Sequence, residues 1–239
     1  MKISVCIPMY NESAIIEKTA HTLDEYMKKT FPGGDYEIIF SDDGSSDGCG
    51  DKVRRLDLPC VKVISYTPNR GKGYAVRKAF LEAKGDVIMF TDADLAYGTE
   101  VIGRVYDAMS ANRSADVLIG SRNLTKDGYD AYTPIRKLAS KTYIKLLCLT
   151  GGFKLSDSQC GCKAFTYNAV QKIFPRCEVD RFAFDFEAIL WANKLGMKII
   201  EMPVRMINYG DTKVRIIRDT FVMLRDLRKM KKRIQKAKI

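Results

Sequence analysis

Val87-Ile88-Met89-Phe90-Thr91-Asp92-Ala93-Asp94 is an apolar run that breaks abruptly into two carboxylates. Four consecutive large apolar residues suit a short strand covered on both faces, and the break places Asp92 and Asp94 at its carboxyl end. The same grammar recurs along the first half of the chain. Apolar runs at Ile3–Pro8, Tyr36–Phe40, Val61–Tyr66 and Val117–Ile119 are each bounded by Gly, Asp or Pro. Helical patterns at Ser13–Lys28, Asp47–Leu56, Gly73–Ala83 and Thr99–Asn112 lie between them. Strands alternating with helices predict an α/β fold: a Rossmann-like, mostly parallel sheet flanked by helices. In such folds ligands collect beyond the carboxyl ends of the strands. Tyr10-Asn11-Glu12, Asp42 to Asp47, Asn69 to Gly73 and Asp92 to Asp94 are therefore expected to share one cleft.

Beyond Gly120 the pattern loosens. A polar loop at Ser121–Thr133 precedes a helix near Ile135–Leu149, a strand at Cys160–Thr166, helices near Asn168–Phe174 and Asp185–Leu195, and a strand at Lys198–Met206. With no linker, repeat or low-complexity tract, residues 1–212 are expected to form one domain, 1–120 being its first half and 121–212 its second, with 213–239 as a basic tail.

The chain has 239 residues, 40 of them Lys or Arg and 29 Asp or Glu, for a net charge of +11. At 46% hydrophobic and 29% charged, it is a globular rather than a disordered sequence. Nine of the eleven net positive charges fall between Lys213 and Ile239, where Val214, Ile217, Phe221 and Leu224 recur at helical steps among basic residues. Such a tail reads either as a solvated terminal helix or as a peripheral anchor on an anionic membrane, each basic residue contributing about 1 kcal/mol at such a surface. Nucleic acid is not an expected partner, because the tail carries one aromatic residue and no recognition motif. No run reaches the about 18 apolar residues of a membrane span, and the amino terminus lacks a signal-peptide pattern, so a cytoplasmic location is expected. Seven cysteines at irregular spacing suggest free thiols, and the single histidine, His21, excludes a triad or a multi-histidine metal site.

Two carboxylates at i and i+2 on a strand end can both reach a hard cation, Mg²⁺ or Mn²⁺, whose shell a substrate diphosphate would complete. An EF-hand is excluded: one starting at Asp92 would need glycine where Tyr97 stands, and one starting at Asp43 would need glutamate at Arg54. Asn69-Arg70-Gly71-Lys72-Gly73 opens a helix and could cradle an anion, Lys72 adding a point charge, but it is neither a Walker A loop nor a dinucleotide fingerprint. Asp42-Asp43-Gly44-Ser45-Ser46-Asp47 could be a plain turn, or could offer a carboxylate to a nucleobase N–H.

Taken together, Pro8-Met9-Tyr10-Asn11-Glu12, the Asp42–Asp47 turn, Asn69–Gly73 and Asp92-Ala93-Asp94 resemble the family-2 glycosyltransferases of GT-A fold in order and spacing. Ser156-Asp157-Ser158-Gln159-Cys160-Gly161-Cys162-Lys163-Ala164-Phe165 and Arg181-Phe182-Ala183-Phe184-Asp185-Phe186-Glu187 resemble the dolichyl- or polyprenyl-phosphate β-glucosyltransferase branch. The resemblance implies a nucleotide-sugar site at Pro8, Tyr10, Asn11, Glu12, Asp42, Asp43, Lys72, Asp92, Ala93 and Asp94, with the metal on Asp92 and Asp94. It implies an acceptor-phosphate site at Arg122, Arg136, Ser140, Gln159 and Lys163. Where the mannosyl branch often has Gln two residues after the second metal Asp, this chain has Ala96.

The implied activity is an inverting transfer of a hexose, glucose foremost, from a nucleotide sugar, UDP-linked foremost, to a polyprenyl or dolichyl phosphate. Asp94 and Asp185 are the expected catalytic residues. Asp185, with Asp157 in reserve, would be a general base for a hydroxyl acceptor, but a phosphate acceptor is already ionised and needs none. Transfer to a saccharide hydroxyl and a non-catalytic nucleotide-binding module are the competing readings. The membrane-facing tail would then hold the enzyme at the cytoplasmic face.

Overall fold

The run Ile3–Met9 forms strand β1, buried at all seven positions. Its neighbours are β2 (Tyr36–Asp42), β3 (Val61–Ser65), β4 (Val87–Phe90), β5 (Val117–Ser121), β6 (Lys163–Thr166) and β7 (Ile199–Pro203). The helices are α1 (Ile16–Thr30), α2 (Cys49–Arg55), α3 (Lys72–Glu82), α4 (Glu100–Ala111), α5 (Pro134–Gly151), α6 (Tyr167–Ile173), α7 (Phe184–Lys194) and α8 (Ile216–Lys236). The computed structural model describes residues 1–128, 134–152, 154–207 and 216–238, with side chains left out at 134–140, 216–224 and 226. Each strand and helix expected from the pattern is present, with ends shifted by a few residues.

The seven strands form one sheet in the order β3-β2-β1-β4-β6-β5-β7. From β1 the chain winds outward through β2 to β3, then returns to add β4 on the other side of β1. That reversal opens a crevice at the carboxyl ends of β1 and β4. The sheet is mixed rather than wholly parallel, because β6 runs antiparallel between β4 and β5. Its first residue, Lys163, consequently sits opposite Phe90 and Ile119, at the same end of the sheet as Asp92.

Side chains alternate between two cores, one on each face. Val87 and Met89 join Ile3, Val5 and Ile7 on one face, and Ile88 and Phe90 join Cys6 on the other. The second of these faces carries an aromatic cluster in which Phe80 lies 4.7 Å from Phe174 and 5.6 Å from Phe165. Edge-to-face rings at these separations add about 0.5–1.5 kcal/mol per pair beyond their buried area.

The described part of the basic tail is built into the body. Leu227, Met230 and Ile234, at three- and four-residue steps along α8, are buried in the same core as Ile144, Leu147 and Trp191. Lys194 Nζ accompanies this by donating to the carbonyls of Ile234, Gln235 and Ala237 at 2.6–2.9 Å, a cation placed where a helix C-terminus favours one. Val214 and the side chains of Ile217, Phe221 and Leu224 lie outside the described residues. Among the described residues no helix is long and apolar enough to cross a membrane. The seven cysteines are free, and all but the half-buried Cys60 are buried.

Candidate active site

At the end of β4 the chain turns through Asp92-Ala93-Asp94-Leu95, closed by Leu95 N–H donating to the Asp92 carbonyl at 3.0 Å. Ala93 is buried among apolar side chains, and its carbonyl accepts from Thr19 Oγ1 at 2.7 Å. Its expected place in the nucleotide-sugar site is therefore that of an anchor for the turn, since its methyl faces the core. Asp92 is half-buried and Asp94 exposed at the cleft mouth. Partial shielding from water and the Asp92 charge both push the Asp94 carboxyl up, although Ala96 N–H, donating at 3.0 Å, works against them. Lys72, the first residue of α3, pairs with Asp92. Burial pulls its ammonium down, but the adjacent Asp92 overcomes this and holds it above the ordinary lysine value.

Asp92 needs the glycine at position 161. A Cβ there would collide with its Oδ2, and the Gly161 N–H is already fixed to the buried Tyr97 hydroxyl at 3.2 Å. Gly161→Ala is expected to displace Asp92 and cut kcat/KM by about ten- to a hundredfold, the scale of a reacting group moved by about 1 Å. Circular dichroism would confirm that the variant is folded.

The proposed nucleotide wall divides into contacting and bracing residues. Pro8 is buried on β1, opposite Ser41, and Tyr10 stands exposed on the rim. Asn11 adopts a left-handed φ of 54° and ties the two sides of the crevice together. Its N–H donates to Ser45 Oγ at 3.0 Å and its Oδ1 accepts from Ser46 N–H at 2.9 Å. Glu12 closes the start of α1 through its carbonyl, which accepts from Ile15 and Ile16 at 3.0 Å. Asp42, at the end of β2, accepts from Ser45 N–H at 3.0 Å and Ser65 Oγ at 3.2 Å.

Asp43 is engaged by the neighbouring loop. Its carboxylate accepts from Asn69 Nδ2 at 2.7 Å, Arg70 N–H at 2.8 Å and Gly71 N–H at 2.7 Å, so it folds the Asn69–Gly71 loop. The glycines of that loop also serve another purpose than the expected anion cradle. A Cβ on Gly71 would lie 2.6 Å from the Asp180 carbonyl, and one on Gly73 would lie 2.7 Å from that of Val179. They admit a second backbone segment, which presses α3 into position and holds Lys72 over Asp92.

Two acceptor-phosphate expectations are changed by burial. Lys163 is 1% exposed, with Nζ 2.6 Å from the Cys160 carbonyl and 2.8 Å from Asp185 Oδ1. It faces Asp185 from beneath, so its charge is already committed within the protein. Arg122 is also buried, and its Nε and NH2 grip Asp157 at 2.7 and 3.1 Å. Asp157 is fully buried in this pair, its carboxylate committed to Arg122. Its Oδ1 also accepts from Gln159 N–H at 3.0 Å, leaving Gln159 half-buried beside the pair. Arg136 and Ser140 lie on α5, but their side chains are outside the described residues. Asp185 is buried, and loss of water pushes its carboxyl up against the opposing pull of Lys163.

Sequence reasoning missed the Lys72–Asp92 and Lys163–Asp185 pairs, which join elements distant in the chain. The faintest signal for them was that both lysines stand beside motif residues. Together the pairs bring two carboxylates and two ammoniums to the end of β4, with Lys72 and Lys163 Nζ 5.7 and 5.8 Å from the Phe90 ring centre. Among the described residues no group of three or more His, Cys, Asp or Glu side chains is set to hold a metal. Asp92 and Asp94 supply hard oxygen donors and a surplus of negative charge, so they fit a divalent cation whose remaining ligands arrive with a substrate.

The chain is 30% identical to a dolichyl-phosphate beta-glucosyltransferase of Trichomonas vaginalis over 88% of its own length and 65% of that protein's. It is 29% identical to the dolichyl-phosphate beta-glucosyltransferase of Saccharomyces cerevisiae, covering 94% of this chain and 72% of the yeast protein. The chain thus spans about two thirds of the length of these relatives. In fold it is similar to glucosyl-3-phosphoglycerate synthase from Mycobacterium tuberculosis, solved with Mn²⁺, UDP and glucosyl-3-phosphoglycerate. That likeness has a TM-score of 0.69 at 16% identity, covering 96% of this chain and 78% of the other. Residues 4–174 match the model of glycosyl transferase family 2, a span holding β1 through β6 and both cleft carboxylates, and the chain belongs to that family.

Proposed function

We propose that this chain transfers glucose from UDP-glucose to a dolichyl or polyprenyl phosphate, with inversion at the anomeric carbon. The observation that carries the reading is the Asp92–Asp94 pair at the sheet's switch point, with Lys72 against it. The glucosyl transfer to dolichyl phosphate for which the two relatives are named supports the sugar and the acceptor class. The structural neighbour, bound to Mn²⁺ and UDP, supports the nucleotide and a divalent ion.

Asp92 and Asp94 would hold the cation, Mg²⁺ or Mn²⁺, which when bound neutralises the departing diphosphate. Lys72 brings a second positive charge to the same place. Pro8, Tyr10, Asn11 and Asp42 form the wall against which the nucleoside would rest. Arg136 and Ser140 on α5 and Gln159 remain the proposed acceptor contacts, with Arg122 acting through Asp157. The acceptor phosphate would attack the sugar from the face opposite the diphosphate, at a rate owed largely to proximity. On this reading the enzyme would work at the cytoplasmic face of a membrane. Attraction to that surface would rest on charge, because the described apolar residues of α8 face the body while Arg228, Lys229 and Lys232 face outward.

A phosphate acceptor is favoured over a hydroxyl by the state of Asp185, which is buried and already engaged 2.8 Å from Lys163. A phosphate monoester brings its own anionic oxygen, whereas a sugar hydroxyl needs a base. Asp185→Asn is therefore expected to lower kcat by less than about tenfold with a lipid phosphate acceptor. A loss of about 10³-fold or more, in a variant whose thermal melt matches wild type despite the unpaired Lys163, would assign Asp185 as the base for a hydroxyl acceptor.

A further inference from the structure

Glu187, on α7, is a fully buried charge that the proposed chemistry does not use. One of its oxygens, Oε2, accepts from the backbone N–H groups of Glu178 and Val179 at 2.9 and 2.7 Å. The other is met by Arg233 of α8, whose guanidinium also reaches Glu178. One arginine fork thus joins the C-terminal helix to a buried carboxylate and to the strap that runs from Glu178 to Arg181.

That strap lies directly on the amino end of α3. The Asp180 carbonyl accepts from Tyr74 N–H at 3.1 Å, and the Val179, Asp180 and Arg181 backbone crowds Gly71 and Gly73 so closely that neither could carry a side chain. The Asp180 carboxylate ties the strap down from above, accepting from Arg70 at 2.7 Å and Arg77 at 2.6 Å. Lys72 stands between the two glycines and reaches Asp92. The contacts form an unbroken series from α8 to the cleft.

We infer that Arg233 is a positioning residue for the nucleotide-diphosphate site: by neutralising Glu187 it fixes the Glu178–Arg181 strap, which in turn seats Lys72 beside Asp92. The inference rests on the reading of that cleft as a nucleotide-sugar site. It gives the basic C-terminal helix a role in catalysis separate from any affinity for a membrane. Physically, a buried carboxylate without its cation either takes a proton or draws in water. In both cases the two strap N–H groups lose a fixed, charged acceptor.

The test is UDP binding by calorimetry in the presence of Mn²⁺, with thermal melts to verify folding. Arg233→Met is expected to weaken UDP binding about tenfold, because Glu187 is left buried and uncompensated. Adding Glu187→Gln is expected to bring affinity back to within about threefold of wild type, since the amide carbonyl still accepts from the strap and no buried charge remains. Arg233→Lys keeps Glu187 neutralised, and with it the fold, but cannot span both carboxylates, so a loss of about threefold is expected. Wild-type affinity in a folded Arg233→Met overturns the inference, as does failure of Glu187→Gln to rescue, or a loss in Arg233→Lys as large as that in Arg233→Met. A wild-type protein that does not bind UDP at all instead sinks the reading of the cleft.

Discussion

Alanine at Asp92 or at Asp94 is expected to reduce kcat/KM by about 10²- to 10³-fold, the scale on which one preorganised group facing developing charge contributes. The loss follows from where the two carboxylates stand. They close the carboxyl end of β4, beside β1, and as only two acids they would leave the rest of an ion's shell to water and the diphosphate. Removing either acid would leave the ion a single carboxylate. Stability should change little, because the Lys72–Asp92 pair is partly exposed, its side chains 25% and 32% accessible, and such pairs contribute about 0–1 kcal/mol. The Asp92 variant has a second signature. It releases Lys72, which can then turn to the diphosphate, so UDP affinity without metal should hold or improve while the gain on adding Mn²⁺ disappears. Titrations with and without Mn²⁺ separate these effects. Turnover within tenfold of wild type in both alanine variants is incompatible with a metal held by this pair.

The sheet was legible because each of its core strands is an apolar run cut off by Gly, Asp or Pro, and the cleft because those cuts fall at strand ends facing the same way. Asp92, Asp42 and Asn11 could be placed in one crevice on that logic alone. What stayed hidden were pairings between residues far apart in sequence. Lys163 falls inside the expected strand Cys160–Thr166 and reads, by resemblance, as an acceptor-phosphate contact. Only the antiparallel insertion of β6 between β4 and β5 drives it under the site. Arg122 reads as a phosphate fork until Asp157, 35 residues later, folds back onto it. Asp43 and Asp42 are neighbours of the same type, yet alternation along the strand end turns one toward Ser65 and the other into the Asn69 loop. The tail has the period of an amphipathic helix, but periodicity does not say whether the apolar face meets lipid or protein. Leu227, Met230 and Ile234 show it meeting α5 and α7.

Lys163→Met is expected to destabilise the fold by about 3–5 kcal/mol, the usual consequence of removing one member of a buried ion pair. Methionine keeps the length and most of the volume, so packing against Phe90 survives and the loss isolates the charge. Asp185 would remain, buried and with its carboxyl already pushed up by loss of water. Without Lys163 it is pushed further, beyond the unfolded-state value of about 3.9. A carboxyl raised in the folded state takes up a proton more readily folded than unfolded. The variant should therefore recover stability on acidification and lose it as pH rises through the folded pKa. Urea denaturation at about pH 5 and about pH 8 should show the gap from wild type widening at the higher pH. Replacing Asp185 as well, in Lys163→Met with Asp185→Leu, removes both charges and should restore most of the stability, because apolar substitutes for a buried pair are often neutral or better. Its activity then reports on Asp185 without an orphaned lysine beneath the site. If Lys163→Met alone is as stable as wild type at both pH values, Asp185 is solvated after all, and the distinction between a committed carboxylate and an available base has to be redrawn.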